Sequence, residues 1–143
     1  MSNPGRIPQL LKHCPYQNAE NHKSGYNCAQ ALACAYSQAV GMDEKTVYQL
    51  TSGLGVGMGS MEGSCGAVAA AVMIAGMKAQ QAGLSKRESF RLCSQISKEF
   101  INRNKSLVCK ELKGTQTGNI LRDCHGCVID AAEILEEAIN GLE

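Results

Sequence analysis

Aromatic residues and prolines are scarce in this chain of 143 residues. It has no Trp, 4 Tyr and 2 Phe, so a core has to be built mainly from small aliphatic side chains. All 3 prolines lie at or before position 15, and a proline-free remainder suits uninterrupted helices. The chain also has no large excess of charge of either sign, because 14 basic and 13 acidic residues leave a net charge of +1. This balance argues against a nucleic-acid-binding domain.

Long hydrophobic runs are missing as well. The longest, over residues 65–77, has 13 residues, whereas a transmembrane helix needs about 20, so we expect no membrane span. The first twelve residues contain two prolines and lack the apolar stretch of a secretory signal. We therefore expect a cytoplasmic protein, whose cysteines are kept reduced unless they carry redox or metal chemistry.

Cysteine, by contrast, is abundant, with 8 residues. A domain of this length buries about 70% of its unfolded surface and needs no disulfides to fold. In a reducing compartment, such an excess favours metal ligands or working thiols over a static disulfide framework.

Helical periodicity predicts an all-α fold. We expect a single-domain helical bundle of about five helices over residues 16–143, preceded by an irregular arm over 1–15. A capping box of Ser85 and Glu88 marks one helix start, and Asp43 marks another. The segment 65–82 is apolar nearly all round, which predicts a central buried helix covered either by the rest of the chain or by a homodimer. The helices are predicted over 16–40 with a break near 24–27, 43–51, 65–82, from 85 to about 103, and 124–140, with a possible further turn at 109–113.

Two helices carry stripes that predict which face is buried. In the helix after Ser85 we expect the inner face to contain Phe90, Cys93, Ile96 and Phe100. In the last helix an apolar stripe leaves the glutamates, Glu133, Glu136 and Glu137, mostly outside.

A glycine-rich loop precedes the central helix, with six glycines between positions 53 and 66. Such a segment predicts a functional loop. It lacks the Gly-Lys-Ser/Thr of a phosphate-binding loop. Gly63 and Gly66 are candidate cofactor-binding positions, because a glycine lets a cofactor, a substrate or another backbone approach closely.

Cys65 is the sharpest candidate among the cysteines. It opens the central helix, where unpaired backbone N–H groups and the helix dipole lower the pKa of a thiol. The alternative is a small buried side chain at a helix start.

The other cysteines differ in their sequence settings. Cys124 and Cys127 flank His125 and Gly126 at the start of the last helix, which places both sulfurs on one side of its first turn, as a redox couple or a metal pair requires. Cys127 could instead fill a core position. Cys109, beside Lys110, is predicted to be an exposed, reactive or ligating thiol. Cys28 lies on an inner helix face; we interpret the remaining three, Cys14, Cys34 and Cys93, as bystanders or core side chains.

These segments together resemble the C-GCAxxG-C-C family of redox-active proteins. The resemblance spans 16–140 and rests on GYNCAQAL at 25–32, SCGAVAAA at 64–71, CKELKG at 109–114 and CHGCVIDAAEILEEAI at 124–139. It implies a small helical protein with a redox role. The four marker cysteines of the family correspond to Cys28, Cys65, Cys109 and Cys124, which leaves Cys127 as an extra, and Ala70 replaces the last glycine of the family motif.

The four marker cysteines are therefore our candidate catalytic and metal-ligating residues. Four thiolates suit an iron–sulfur cluster first and zinc second. Without a metal, we expect Cys65 to attack and Cys28, Cys109 or Cys124 to resolve a disulfide, with a redox partner protein or a small electron carrier. The alternatives are a non-catalytic metal carrier or sensor, and a scaffold in which the cysteines only pack. The sequence leaves open whether the protein is an oxidoreductase or an electron-transfer component.

Overall fold

The computed structural model describes residues 24–142 of the chain. Within this range the secondary structure is helical, with one isolated bridge between Ser64 and Val108, and the all-α prediction is confirmed. The segment Gly55–Met58 is a turn with left-handed dihedral angles at Val56 and Gly57. The helices are α1 (Cys28–Ala35), α2 (Glu44–Thr51), α3 (Gly66–Gln81), α4 (Lys86–Asn104), α5 (Cys109–Lys113) and α6 (Cys124–Asn140), with 3₁₀ turns at Gln38–Val40 and Ser52–Leu54.

Side-chain caps fix where four of these helices begin. The predicted capping box is present at α4, where Ser85 and Glu88 bond to each other's backbone. Asp43 accepts a bond from the backbone N–H of Thr46, 3.1 Å away, and so starts α2. Equivalent caps start α1 at Asn27 and α6 at Asp123. Each cap satisfies backbone N–H groups that a helix start leaves without a partner.

Helix α3 is the centre of the bundle, as predicted. It packs against α1, α4 and α6, so the apolar helix is covered within one chain. Ala67, Ala71, Ala75 and Ala79 lie one turn apart and are fully buried. Small side chains at this spacing let the neighbouring helices approach α3 closely. Among residues 24–142, none of the helices combines the length and apolarity needed to cross a membrane.

Two predictions about inner faces are wrong. Phe90 is 63% exposed, because the buried face of α4 instead runs through Leu92, Ile96 and Phe100. Glu136 was expected outside the inner face but is only 1% exposed. It accepts a hydrogen bond of 2.7 Å from the hydroxyl of Tyr36, which compensates for part of the cost of burying a carboxyl group.

The N-terminal arm of 1–15 and the start of the first predicted helix lie outside the described residues. Within the described range, the break near 24–27 is present, since α1 begins at Cys28. The turn of helix predicted at 109–113 is also confirmed, as α5.

Candidate functional site

Five cysteines line one small cavity at the end of the bundle where α1, α3, α5 and α6 begin. The cavity has a volume of about 10 Å³, which is room for roughly one water molecule. Cys124 is half-buried, whereas the other four cysteines are buried. The five are Cys28, Cys65, Cys109, Cys124 and Cys127.

Each of the four predicted site cysteines stands at a helix start. Cys28 and Cys124 are the first residues of α1 and α6, and Cys65 is the N-cap residue of α3. Cys109 is the first residue of the short helix α5. Since these helix starts meet at one cavity, residues that are far apart in the chain bring their thiols together. At the start of α3, the backbone N–H groups of Ala67 and Val68 also donate to the sulfur of Cys65.

Cys65 and Cys109 are brought together by the loops that precede their helices. The backbone N–H of Cys65 donates to the carbonyl of Leu107 over 2.7 Å, and that of Cys109 donates to the carbonyl of Gly63 over 3.1 Å. The two segments run antiparallel for a few residues. Gly63, a predicted cofactor-binding position, thus contributes its carbonyl to the support of Cys109 and is not among the residues that line the cavity.

Two glycines allow the backbone to come this close. A Cβ atom on Gly57 would lie 2.5 Å from the Cβ of Cys109, and Gly57 has a φ of +58°. A Cβ atom on Gly66 would lie 2.9 Å from the carbonyl oxygen of Leu54 and 3.2 Å from the nitrogen of Ala29. The close approach expected at Gly66 is therefore made by the protein's own backbone.

The neighbours of Gly57 carry backbone strain. Val56 and Met58 have φ values of 55° and 61°, in the left-handed region that β-branched and bulky residues rarely adopt. Val56 lines the cavity and is 44% exposed. Such strain persists only where the surrounding structure enforces it, and here it shapes the wall of the thiol cavity.

Cys65 and Cys127 form an inner hydrogen-bonded pair of thiols. The bond from Cys127 lowers the pKa of Cys65 from its ordinary value, and backbone N–H groups of Val68 and Ala67 lower it further, against the opposing effect of burial. The same bond, together with burial, raises the pKa of Cys127. Of the two thiols, Cys65 therefore has the lower pKa and accepts the bond from Cys127. This direction agrees with the one expected from the helix start, but its largest cause is Cys127, which the sequence did not identify as the partner of Cys65.

Cys28 and Cys124 form a second, outer pair. Their hydrogen bond, followed by burial, raises the pKa of Cys28 from its ordinary value. Lys113 hydrogen-bonds to Cys124 and lines the same cavity. Burial disfavours the charge on Lys113, but its electrostatic interactions with Cys124 and Cys109 outweigh burial and raise the pKa of the ammonium group. The lysine therefore supplies a positive charge beside the outer thiols.

Cys109 is buried, so the prediction of an exposed thiol is wrong. It is 6% exposed, because the turn at Gly57 covers it. Burial raises its pKa, and Lys113 opposes that shift. Cys109 thus lies at the cavity as a protonated thiol near the two pairs.

A second cation, Arg122, lines the cavity and is held in place by Asp130. The Nε and Nη2 atoms of Arg122 donate to the two carboxylate oxygens over 3.0 and 3.3 Å. Asn104 donates to the same carboxylate over 3.2 Å. A two-point contact of this kind fixes the plane of a guanidinium group, so Arg122 forms a defined part of the wall.

The sequence did not identify Lys113 or Arg122. Lys113 follows Cys109 by four residues, a spacing that puts both on one face of a helical turn, so this signal was available. Arg122 lies in a loop with no regular spacing to any cysteine, and only the tertiary structure shows that it lines the cavity.

The remaining cysteines lie away from the cavity or outside the described range. The thiol of Cys34 is near the carbonyl of Glu44, at 3.8 Å, and that of Cys93 is near the carbonyl of Val72, at 3.7 Å. Both pack against the core, as the sequence predicted for Cys93, whereas for Cys34 it indicated a bystander. Cys14 lies outside the described residues.

No metal site is preformed among residues 24–142, where no group of three or more His, Cys, Asp or Glu side chains is arranged to hold a metal ion. The cavity has room for roughly one water molecule, so an iron–sulfur cluster would require the surrounding side chains to move. The sulfurs are instead engaged in thiol–thiol hydrogen bonds.

Comparison with known proteins agrees with the cysteine pattern. No curated protein and no solved structure matches the chain. The family described as "Putative redox-active protein (C_GCAxxG_C_C)" matches residues 26–138, a range that includes all five cysteines of the cavity. Since this match covers most of the 143 residues, the chain belongs to the C_GCAxxG_C_C family.

Proposed function

We propose that the protein is a dithiol–disulfide redox protein whose cysteine cavity transfers electrons two at a time to a disulfide substrate. The observation that carries the proposal is the arrangement of four thiols as two hydrogen-bonded pairs on one cavity. Cys65 bonds to Cys127 and Cys28 bonds to Cys124. Sulfurs already in contact need little movement to form a bond.

Thiolate chemistry explains why these pairs would react. The thiolate is the nucleophile in disulfide exchange, and the lowered pKa of Cys65 increases the fraction in that form. Lys113 places a positive charge next to Cys124, which favours negative charge on the outer pair. Ordinary buried thiols lack both features.

The reaction balances without a metal or a cofactor. One cavity thiolate attacks a sulfur of the substrate disulfide, forms a mixed disulfide and expels the other substrate sulfur as a thiolate. The paired cavity thiol loses its proton, attacks the mixed disulfide and releases the second substrate sulfur. The protein has then lost two electrons and formed one intramolecular disulfide, and the substrate disulfide has become two thiols.

The substrate class is a disulfide of a redox partner protein or of a small electron carrier, as the cysteine pattern predicted. The cytoplasmic location expected from the sequence would suit this chemistry, because a reducing environment regenerates the dithiol state. The metal carrier or sensor is the alternative, and it has less support, since the described side chains include no group already arranged to hold a metal ion.

A redox titration tests the proposal. Anaerobically purified protein is equilibrated in mixtures of reduced and oxidised glutathione, its thiols are blocked, and its disulfides are located by mass spectrometry. We expect disulfides Cys65–Cys127 and Cys28–Cys124. Cys65→Ser should lose the first of these, whereas Cys93→Ser, a matched change of a cysteine away from the cavity, should leave both.

Two results would overturn the proposal. One is the absence of any disulfide between cavity cysteines across the full range of glutathione mixtures. The other is stoichiometric iron or zinc in the purified protein, found by elemental analysis and lost together with the redox response when Cys65 is replaced.

A further inference from the structure

The two thiol pairs differ in how far they lie from solvent. Cys124 is the half-buried member of the cavity set, whereas Cys65 and Cys127 are only 5% and 2% exposed. Disulfide exchange requires the attacking sulfur, the central sulfur and the leaving sulfur to lie nearly in line, so a substrate has to reach the attacking thiol directly. A peptide or protein disulfide can approach Cys124 but not the inner pair.

The inner pair is nonetheless in contact with the outer one across the cavity. All four sulfurs line a space with room for roughly one water molecule. Cys65 interacts electrostatically with both Cys28 and Cys124, and so does Cys127. The inner thiolate is therefore placed to attack a disulfide of the outer pair, with no other group needed to carry electrons.

We propose that the two pairs form an internal relay, in which Cys28 and Cys124 exchange with the external disulfide and Cys65 and Cys127 receive the oxidation from them. This inference rests on the proposed dithiol–disulfide function and adds the order in which the two pairs are oxidised. The relay gives the protein a capacity of two disulfides, that is, four electrons.

Each step of the relay conserves sulfurs and electrons. Cys124 attacks the substrate disulfide, and Cys28 resolves the mixed disulfide to give Cys28–Cys124 and two substrate thiols. The Cys65 thiolate then attacks a sulfur of Cys28–Cys124, forming a cross-linked intermediate and freeing the other outer thiol. Cys127 loses its proton and attacks Cys65, which releases the second outer thiol. The outer pair is reduced again and can oxidise with a second substrate.

The position of Lys113 favours this direction. Lys113 lines the cavity and hydrogen-bonds to Cys124, so it stabilises the sulfur that is released when the outer disulfide is attacked. A stabilised leaving group speeds that attack and favours the reduced form of the outer pair, which moves the oxidation inward.

Time-resolved disulfide mapping tests the relay. The fully reduced chain is mixed with one equivalent of oxidised glutathione, quenched with acid at intervals, alkylated and analysed by mass spectrometry. We expect Cys28–Cys124 to appear first and to decline as Cys65–Cys127 accumulates. In Cys124→Ser, the inner disulfide should form at least about tenfold more slowly, although both of its cysteines are present.

Controls separate the relay from a loss of folding and from a failure of the function itself. Cys34→Ser replaces another buried cysteine, near the C-terminal end of α1. In this variant the two disulfides should form in the same order and at the same rates as in the wild type. Cys124→Ala provides a second variant if serine at this position unfolds the helix start, as judged by circular dichroism.

The possible outcomes are distinct. If Cys124→Ser forms the inner disulfide at the wild-type rate, or if Cys65–Cys127 precedes Cys28–Cys124, the relay is wrong. If Cys28–Cys124 forms and the inner pair never oxidises, the relay is again wrong while the dithiol–disulfide function stands. If neither disulfide forms in the wild-type chain, the function itself is wrong.

Discussion

The two cysteines of α1 are both buried, yet their surroundings make them chemically different. Cys28 begins the helix and lines a cavity with four other thiols. Cys34, near the other end of the helix, lies beside the carbonyl of Glu44. Burial, reinforced by the negative charge of Glu44, raises the pKa of Cys34 to about 11. Burial alone therefore produces an inert thiol, and reactivity requires thiol partners and stabilised negative charge.

The same contrast holds along the central helix. At the start of α3, Cys65 has a lowered pKa because a thiol and backbone N–H groups donate to it. Facing the same helix further along, Cys93 has a pKa raised by burial, and its thiol lies 3.7 Å from the carbonyl of Val72. The start of α3 thus stabilises negative charge on sulfur, whereas the later part of the helix provides only packing for Cys93.

The largest effect is expected on the free energy of unfolding, when each of two glycines of α3 is replaced by alanine. Gly66→Ala places a Cβ atom 2.9 Å from the carbonyl oxygen of Leu54, a backbone atom that cannot move without shifting the cavity. We expect the free energy of unfolding to fall by about 2–3 kcal/mol. Gly76→Ala, where no atom lies within 4 Å of the new Cβ, should raise it by about 1 kcal/mol through helix propensity.

Urea denaturation followed by circular dichroism measures both changes. Equal effects of the two substitutions would contradict the close backbone contact at Gly66.

A smaller effect is expected when the thiol that bonds to Cys65 is removed. Cys127→Ala eliminates the donor that most lowers the pKa of Cys65, so that pKa should rise. A thiol with a raised pKa has less thiolate at neutral pH, and alkylation of Cys65 should slow by about tenfold and reach its plateau only at higher pH. The rate is measured by iodoacetamide labelling and peptide mass spectrometry over a pH series.

Cys127→Ser is the matched control, since a hydroxyl group can still donate to Cys65. Its alkylation profile should remain closer to that of the wild type. If alanine and serine shift the profile equally, the hydrogen bond is not what lowers the pKa.

The positive charge at the cavity is expected to contribute less. Lys113 is the group that lowers the pKa of Cys109 and of Cys28 against their burial. Lys113→Met should therefore raise both pKa values and slow oxidation by glutathione by about threefold, as expected for one partly solvated charge. Stopped-flow oxidation at low and high salt measures the effect.

Lys110→Met is the control for Lys113→Met, because it removes a positive charge of the same kind from a different position. Lys110 pairs with Glu62 over 2.6 Å and is not among the charges that shift the pKa of Cys109, so its loss should leave the oxidation rate unchanged. A similar slowing in both variants would mean that overall charge, rather than the position of Lys113, sets the rate.

The smallest effect is expected at the isolated thiol. Cys34→Ala removes a sulfur from a buried position and should cost about 1 kcal/mol of unfolding free energy. The thiol–disulfide titration should be indistinguishable from that of the wild type. A shifted titration would show that Cys34 belongs to the redox set and would remove the contrast within α1.

Local patterns predicted most of the helices. Caps at Asp43 and Ser85 act within three residues of the chain, so their side chains could be assigned without knowing the fold. The buried and exposed faces of the helices were less predictable. Phe90 lies on an apolar stripe but turns outward, and Glu136 lies on a polar stripe but is buried against Tyr36. Which side of a helix is covered depends on neighbours that a stripe does not encode.

Some features of the candidate site were likewise predictable from the sequence and others were not. The motifs identified Cys28, Cys65, Cys109 and Cys124, and the helix start at Cys65 predicted the direction of its pKa. The pairing of Cys65 with Cys127 and the position of Arg122 were not predictable, because each depends on distances between segments far apart in the chain. Lys113 was missed although its spacing of four residues from Cys109 was a usable signal.

The amino-acid sequence by itself determined an all-α chain with its helix starts, its glycine-rich loop and an excess of cysteines at those starts. These properties are local, since they depend on capping, propensity and spacing within a few residues. The tertiary structure decided which thiols meet, which of them is open to solvent and which cation faces them. Those features depend on how helices α1, α3, α5 and α6 bring their first residues to one cavity, and packing of the whole bundle sets that geometry.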